Sequence, residues 1–134
     1  MISTKGRYAL RVMIDLAEQQ SEGYVPLNEI AARQEISVKY LELILKSLVQ
    51  NKLLEGQRGK GGGYRLTRAP EDYTAGEILE LTEGTLSPVA CLAPGAKPCP
   101  RCDGCRTLPL WQRFDATVHD FFYGVTLREL MRKD

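Results

Sequence analysis

All four cysteines of the chain fall within 15 residues, as Cys91-x7-Cys99-x2-Cys102-x2-Cys105. Thiolates so closely spaced can converge on one soft metal centre, an iron–sulphur cluster or zinc. A zinc ribbon usually offers two separated C-x2-C knuckles, whereas here three cysteines follow in a tight series. The spacing therefore favours an iron–sulphur cluster, leaving zinc and redox-sensing thiols as alternatives. A structural disulfide pair does not suit a reducing compartment. Lys97, Arg101 and Arg106 surround the thiols and would help keep them deprotonated.

The second chemical feature is Arg58-Gly59-Lys60-Gly61-Gly62-Gly63, with four glycines and two cations in six residues. The G-x-x-x-x-G-K-[ST] order is absent, so this is not a nucleotide-binding phosphate loop. It reads as a turn whose backbone can lie close to a phosphodiester backbone, with Arg58 and Lys60 supplying charge.

The elements around these features are legible. Ser37 caps a helix over 38–50, with Leu41, Ile44, Leu45 and Leu48 inward and Lys39, Glu42, Lys46 and Gln50 outward. Extended runs at 53–57 and 64–67 flank the glycine turn. A short helix over 27–34 precedes the Glu35-Ile36 turn, giving helix-turn-helix spacing. The first helix, from Thr4 to about Gln20, is capped by Ser3 or Thr4 and buries Tyr8, Ala9, Val12, Met13, Leu16 and Ala17. Glu22-Gly23 ends it. Thr74 and Glu77 form a capping box for a helix to about Glu83, and Thr126 with Glu129 forms another. Between 87 and 107 lies a long irregular segment with four prolines and every cysteine. A last long helix over 108–122 carries Trp111, Phe114, Val118, Phe121 and Phe122, a stripe suited to a twofold dimer. His119 lies on its flank as a surface or interface residue.

The fold class expected is mainly α with a small β-hairpin wing. A winged helix-turn-helix DNA-binding domain over 1–70 is followed by a helical dimerisation region over 71–134, which contains the cysteine loop. The net charge is only +1, but residues 1–70 hold 11 Lys and Arg against 7 Asp and Glu, while residues 71–134 hold 7 against 10. The basic half is the one with the helix and hairpin. No apolar run approaches the ~20 residues of a membrane span, and the amphipathic start is not a secretory signal, so a cytoplasmic protein without a membrane partner is expected. No nucleophile–base pair or defined acid pair is present, so neither an enzyme nor a small-molecule substrate is expected.

The surface expected to meet double-stranded DNA comprises Thr4, Lys5, Ser37, Val38, Lys39, Tyr40, Glu42, Arg58, Gly59, Lys60 and Gly61. Lys39 and Tyr40 would contact phosphates, and Arg58 would grip phosphate or enter the minor groove. Glu42 would accept from a cytosine amino group or repel unsuitable sites. Trp111, Phe114, Val118 and Phe121 are the expected dimer contacts.

Several stretches together resemble one known family: M-I-S-T-K-G-R-Y-A-L, I-S-V-K-Y-L-E, R-G-K-G-G-G-Y-R-L, T-A-G-E-I, and the cysteine loop running into L-W. They are similar to the Rrf-type winged-helix transcriptional regulators, most of all the iron–sulphur-sensing IscR branch. The resemblance implies a homodimer on palindromic promoter DNA, with a 2Fe–2S cluster held by three cysteines and a histidine. Cys91, Cys99 and Cys105 match the cysteines. The histidine position falls on Leu108, which cannot ligate, so Cys102 is the expected fourth ligand. A carboxylate from the first helix of the partner, Asp15 or Glu18, is the rival, as in related nitric-oxide sensors. Members of the CymR kind lack a cluster, and four loop cysteines argue against that branch. The alternative function is a zinc-stabilised or thiol-redox-sensing winged-helix regulator or interaction module without a cluster.

Overall fold

The computed structural model describes residues 2–19, 23–97 and 102–132. Among the described residues, six α-helices and one hairpin follow in the order α1 (Thr4–Glu18), α2 (Leu27–Gln34), α3 (Val38–Gln50), β1 (Leu54–Gln57), β2 (Gly63–Leu66), α4 (Ala75–Glu83), α5 (Leu108–Tyr123) and α6 (Leu127–Leu130).

Ser3 caps α1, its hydroxyl accepting from the Gly6 amide at 3.2 Å, and Ser37 does the same for Tyr40 at the start of α3. Each cap satisfies an amide that the helix itself leaves unpaired. Between α2 and α3 the chain turns at Glu35, which takes the left-handed conformation (φ 54°), and the Ile36 amide closes back on the Ala31 carbonyl. This tight turn fixes α3 across the end of α2. The first helix ends at Glu18, and the expected Glu22 part of its stop lies outside the described residues.

The hairpin pairs Leu54 with Leu66 and Gln57 with Gly63. Val25 adds to its free edge, exchanging two backbone hydrogen bonds with Tyr64 at 2.8 and 2.9 Å. Gly63 is required there: its φ is 145°, and a Cβ would fall 2.1 Å from the Val25 carbonyl oxygen.

One apolar core joins α1, α2, α3, β1 and the region after residue 70. Met13, Ile30, Leu41, Ile44, Leu45, Leu48, Tyr73, Ile78 and Leu127 are all sealed within it. Each such side chain contributes about 1.5–3 kcal/mol of transfer free energy. Tyr73 ties the wing to this core. Its hydroxyl donates to the Leu53 carbonyl at 2.7 Å and accepts from the Thr67 and Arg68 amides at 2.9 and 3.1 Å. Behind it, Ala75 and Leu127 bond across to Val125 and Tyr73, pinning α6 beside the start of α4.

A smaller cluster of Leu79, Leu86 and Val118 seats α5 on α4. Val118, expected at a dimer contact, is only 8% exposed within its own chain, where it packs with Leu79 and Leu86. The reason is helical phase: Val118 lies on the side of α5 that α4 covers. Tyr123, on the same helix, lies over Gly76, where a Cβ would come within 2.4 Å of the ring.

The capping box at Thr74 forms by halves. Thr74 accepts from the Glu77 amide, but the Glu77 carboxylate accepts two hydrogen bonds from the Arg68 guanidinium, at 2.8 and 2.7 Å. A bidentate charged partner is stronger than a single backbone amide. No described helix is long and apolar enough to cross a membrane.

Candidate nucleic-acid interface and thiol loop

Along α3, Lys39, Leu43, Lys46 and Gln50 recur at helical spacing directly opposite the buried Leu41, Ile44, Leu45 and Leu48. Lys39, Glu42, Lys46 and Gln50 are all exposed. Leu43, which the polar-face reading passed over, is exposed to 61% in the middle of this line. The apolar run Leu41, Leu43, Ile44, Leu45 blurs the helical period, but the four-residue steps from Lys39 would have found it.

Two hollows flank α3. The first, of about 400 Å³, is lined by Thr4, Tyr8, Glu35, Ile36, Ser37 and Tyr40, so the starts of α1 and α3 open onto one concavity. Thr4, Ser37 and Tyr40 of the expected interface meet there. Tyr8 and Tyr40 pack edge to face at 5.8 Å, and the Arg11 guanidinium lies 4.9 Å over Tyr8. The second hollow, of about 290 Å³, lies between the end of α3 and the hairpin and is lined by Lys46, Gln50, Gly56, Arg58 and Tyr64 among others. It brings the expected wing cation Arg58 beside Lys46.

The hairpin cations divide into two groups. Arg65 is paired to Glu55 at 2.7 Å and lies over the Tyr24 ring, and its guanidinium is pushed above its ordinary value chiefly by the Glu55 hydrogen bond. Arg58 and Lys60 are exposed in the turn and make no ion pair among the described residues. Gly59 and Gly61 around them have φ of 92° and 79°, which favours glycine. Val38 is 41% exposed at the first turn of α3, and Lys5 is half-buried near the start of α1.

Behind this face a polar network locks α1 to α2. Asp15, 4% exposed, accepts from Arg33 at 3.0 and 2.8 Å and from Gln34 at 2.8 Å. Arg11 in turn donates to the side chain and backbone of Gln34. Asp15 is therefore engaged inside its own chain, which corrects its candidacy as a cluster ligand for a partner. Glu18 accepts from the Arg132 amide at 2.6 Å but remains at the surface.

A second carboxylate links the start of α1 to the end of α4. Glu83 accepts from the Ser3 amide at 2.8 Å and from the Ser3 hydroxyl at 2.7 Å. Gly6 leaves room for it, since a Cβ there would come 2.2 Å from the Glu83 oxygen. Glu83 is the last residue of α4, and the chain then runs through Gly84 towards the thiols.

In the loop, Cys91 is exposed within a 3-10 turn over Ala90–Leu92, and the Ser87 hydroxyl donates to the Leu92 carbonyl at 3.2 Å. Cys105 is half-buried, with its Sγ 3.4 Å from the Thr107 hydroxyl. Cys102 opens a further 3-10 turn, Cys102–Gly104, whose backbone is described, while Cys99 and Arg101 lie outside the described residues. Among the described residues no group of three His, Cys, Asp or Glu side chains converges. The donors that this loop offers are its thiols and the Asp103 carboxylate, with Leu108 starting α5 where the resemblance expects histidine. That donor chemistry fits iron–sulphur or zinc.

Beyond the loop, α5 exposes Leu110, Phe114 and Phe121 to 57%, 42% and 63%, while Trp111 is half-buried. Leu110 was not among the expected contacts. His119 stacks on Tyr123 at 4.5 Å and lies 3.8 Å from Glu80. Burial and the Glu80 carboxylate, which accepts from the phenol, push Tyr123 up to about 12.

Residues 2–133 match the sequence profile of Rrf2, described as an iron-dependent transcriptional regulator. The chain belongs to the Rrf2 family. Its relatives include the HTH-type transcriptional regulator IscR of Pectobacterium carotovorum, 35% identical over 130 residues, which span 97% of this chain and 78% of that protein. Among solved structures, CymR, the global cysteine regulator of B. subtilis, superposes with a TM-score of 0.78 at 37% identity, covering 97% of this chain and 95% of that one. IscR of T. potens gives 0.75 at 31%, covering 97% and 85%. This Rrf2-family chain is thus a DNA-binding transcriptional regulator of mainly helical, winged-helix fold. Its relatives are regulators, not enzymes. Likeness of fold reaches both the IscR and CymR branches, so the loop chemistry has to distinguish them.

Proposed function

We propose that this chain is a cytoplasmic, homodimeric repressor that docks α3 in the major groove of a palindromic operator and reports iron–sulphur, redox or nitric-oxide status through its cysteine loop. The observation that supports the DNA half is that Arg58 of the wing and Lys46 and Gln50 of α3 line one hollow between helix and hairpin. Thr4, Lys5, Ser37, Val38, Lys39 and Tyr40 continue the proposed interface to the starts of α1 and α3, where backbone amides favour phosphate. Glu42 beside them filters sites. Residues 1–70 form the reading part and residues 71–134 the sensing and dimerising part, although the two share a core.

For the sensing half, Cys91, Cys99, Cys102 and Cys105 are the proposed ligands. The cluster they would hold, of 2Fe–2S type by resemblance, supplies a one-electron and oxidant-labile centre. Without it, the exposed Cys91 thiol is open to oxidation. A cluster-free thiol regulator is the second reading, supported by the likeness to CymR and by the exposure of Cys91.

Both halves are tested on the purified full chain. Arg58→Ala should weaken operator binding and lower the salt slope by about one unit. Unchanged affinity and slope would remove the wing from the interface. Anaerobically purified or reconstituted protein should show charge-transfer absorption, lost in Cys91→Ala, Cys99→Ala, Cys102→Ala and Cys105→Ala alike. A colourless protein with bound zinc, or with no metal, sinks the cluster reading. A Cys102→Ala protein with an unchanged spectrum moves the fourth ligand elsewhere, Glu18 being the next to vary.

A further inference from the structure

We infer that Leu43 is a sequence-reading residue of the DNA interface, packing on the C5-methyl group of a thymine in the major groove. The inference rests on α3 being the helix that enters the groove. Leu43 is 61% exposed and is not among the side chains packed on the core. Single exposed leucines are ordinary on protein surfaces, so exposure by itself argues nothing. What singles this one out is its position. It lies on the outward line of α3 between Lys39, about one turn before it, and Lys46, about one turn after, with Glu42 at its side.

Those two cations draw phosphates to either side of the central turn of α3, so a duplex seated on them presents base edges to Leu43. A leucine side chain can neither donate nor accept a hydrogen bond. Among the base edges in the major groove, the one apolar feature is the thymine methyl. Set against a cytosine amino group or a guanine oxygen, Leu43 would strip water from a polar atom and give nothing in return, which penalises those bases. The same residue therefore favours thymine and disfavours cytosine or guanine at one position. Glu42 beside it offers the complementary preference, accepting from a cytosine amino group at a neighbouring base pair.

The test starts from a duplex enriched by the wild-type protein from a random pool. Each thymidine in it is replaced in turn by deoxyuridine, which removes only the methyl group. At one thymine position per recognition-helix footprint, methyl loss should weaken the wild type about fourfold, the effect of exposing one buried carbon. Leu43→Ala, an exposed and therefore fold-neutral change verified by circular dichroism, should bind the thymidine and deoxyuridine duplexes equally. Enrichment with Leu43→Ala should also lose the base preference at that position. The inference is overturned if no deoxyuridine substitution affects the wild type, or if the methyl effect persists undiminished in Leu43→Ala. Lys39→Ala and Lys46→Ala separate this from the parent reading. Should both bind with unaltered affinity and salt slope, α3 does not enter the groove and both readings fall. If they weaken binding while methyl loss is silent, only the role of Leu43 falls.

Discussion

Asp15 lies on the inner side of α1 and meets water with almost none of its surface, yet it is ionisable. A carboxylate can be kept there only because Arg33 and Gln34 bring three donor contacts of 2.8 to 3.0 Å to it. The Arg33 guanidinium is held above its ordinary value chiefly by its hydrogen bond with Asp15. Removing one partner costs more than removing both, because it strands the other. Asp15→Ala should destabilise the fold by about 2–3 kcal/mol, somewhat below a fully buried pair since Arg33 remains one-third exposed. Asp15→Leu combined with Arg33→Met should recover part of that loss. Urea unfolding of the three proteins checks the order, and a double variant less stable than Asp15→Ala would contradict this account. Nothing in the periodicity of α1 marks Asp15 as buried, because its partner is 18 residues away on another helix.

At the scale of elements, α3 was legible almost to the residue, since a capping serine, a four-leucine-type core face and a polar outer face all agree on Ser37 to Gln50. The hairpin was legible from its glycines, although β1 starts one residue later and β2 one residue earlier than expected. What sequence could not reveal was long-range choice. Glu77 pairs with Arg68 and not with its own cap, and the aromatic stripe of α5 does not say which side α4 covers. The thiol spacing names a donor chemistry, but among the described residues no three such side chains converge, and convergence is not a local property. The attachment of the wing is the clearest case of long-range choice, since it uses the Val25 backbone on one side and one phenol from beyond the hairpin on the other. Tyr73→Phe removes the hydroxyl that serves Leu53, Thr67 and Arg68. The expected cost is about 1–3 kcal/mol, with hydrogen exchange quickening selectively at the hairpin amides and operator affinity falling with it. Uniform quickening across α1 to α3 would show instead that Tyr73 serves the core and not the wing.

For the molecule as a whole, the exposed Leu110, Phe114 and Phe121 form a line on α5 that the described residues leave uncovered. A second copy is the proposed cover, placing two recognition helices about 34 Å apart, one turn of DNA. Phe121→Asp should leave the fold intact while shifting the sedimentation coefficient from dimer to monomer at micromolar concentration, and operator affinity should drop with it. A wild type that sediments as a monomer removes the basis for palindromic binding. The join made by Glu83 matters at this scale too. It fastens the first residues of α1, on the expected phosphate face, to the residue from which the thiol segment departs. In the language of linkage, if a ligand of the loop alters operator affinity by some factor, operator alters the affinity for that ligand by the same factor. With Zn2+ as the loop probe, the two factors can be measured separately, and Glu83→Gln should shrink both towards unity. If that variant leaves them at the wild-type value, the signal takes another route. Where that coupling holds, DNA is not only the target of the protein but a second effector of it, so that a copy resting on its operator has a different threshold for the loop ligand from one free in solution.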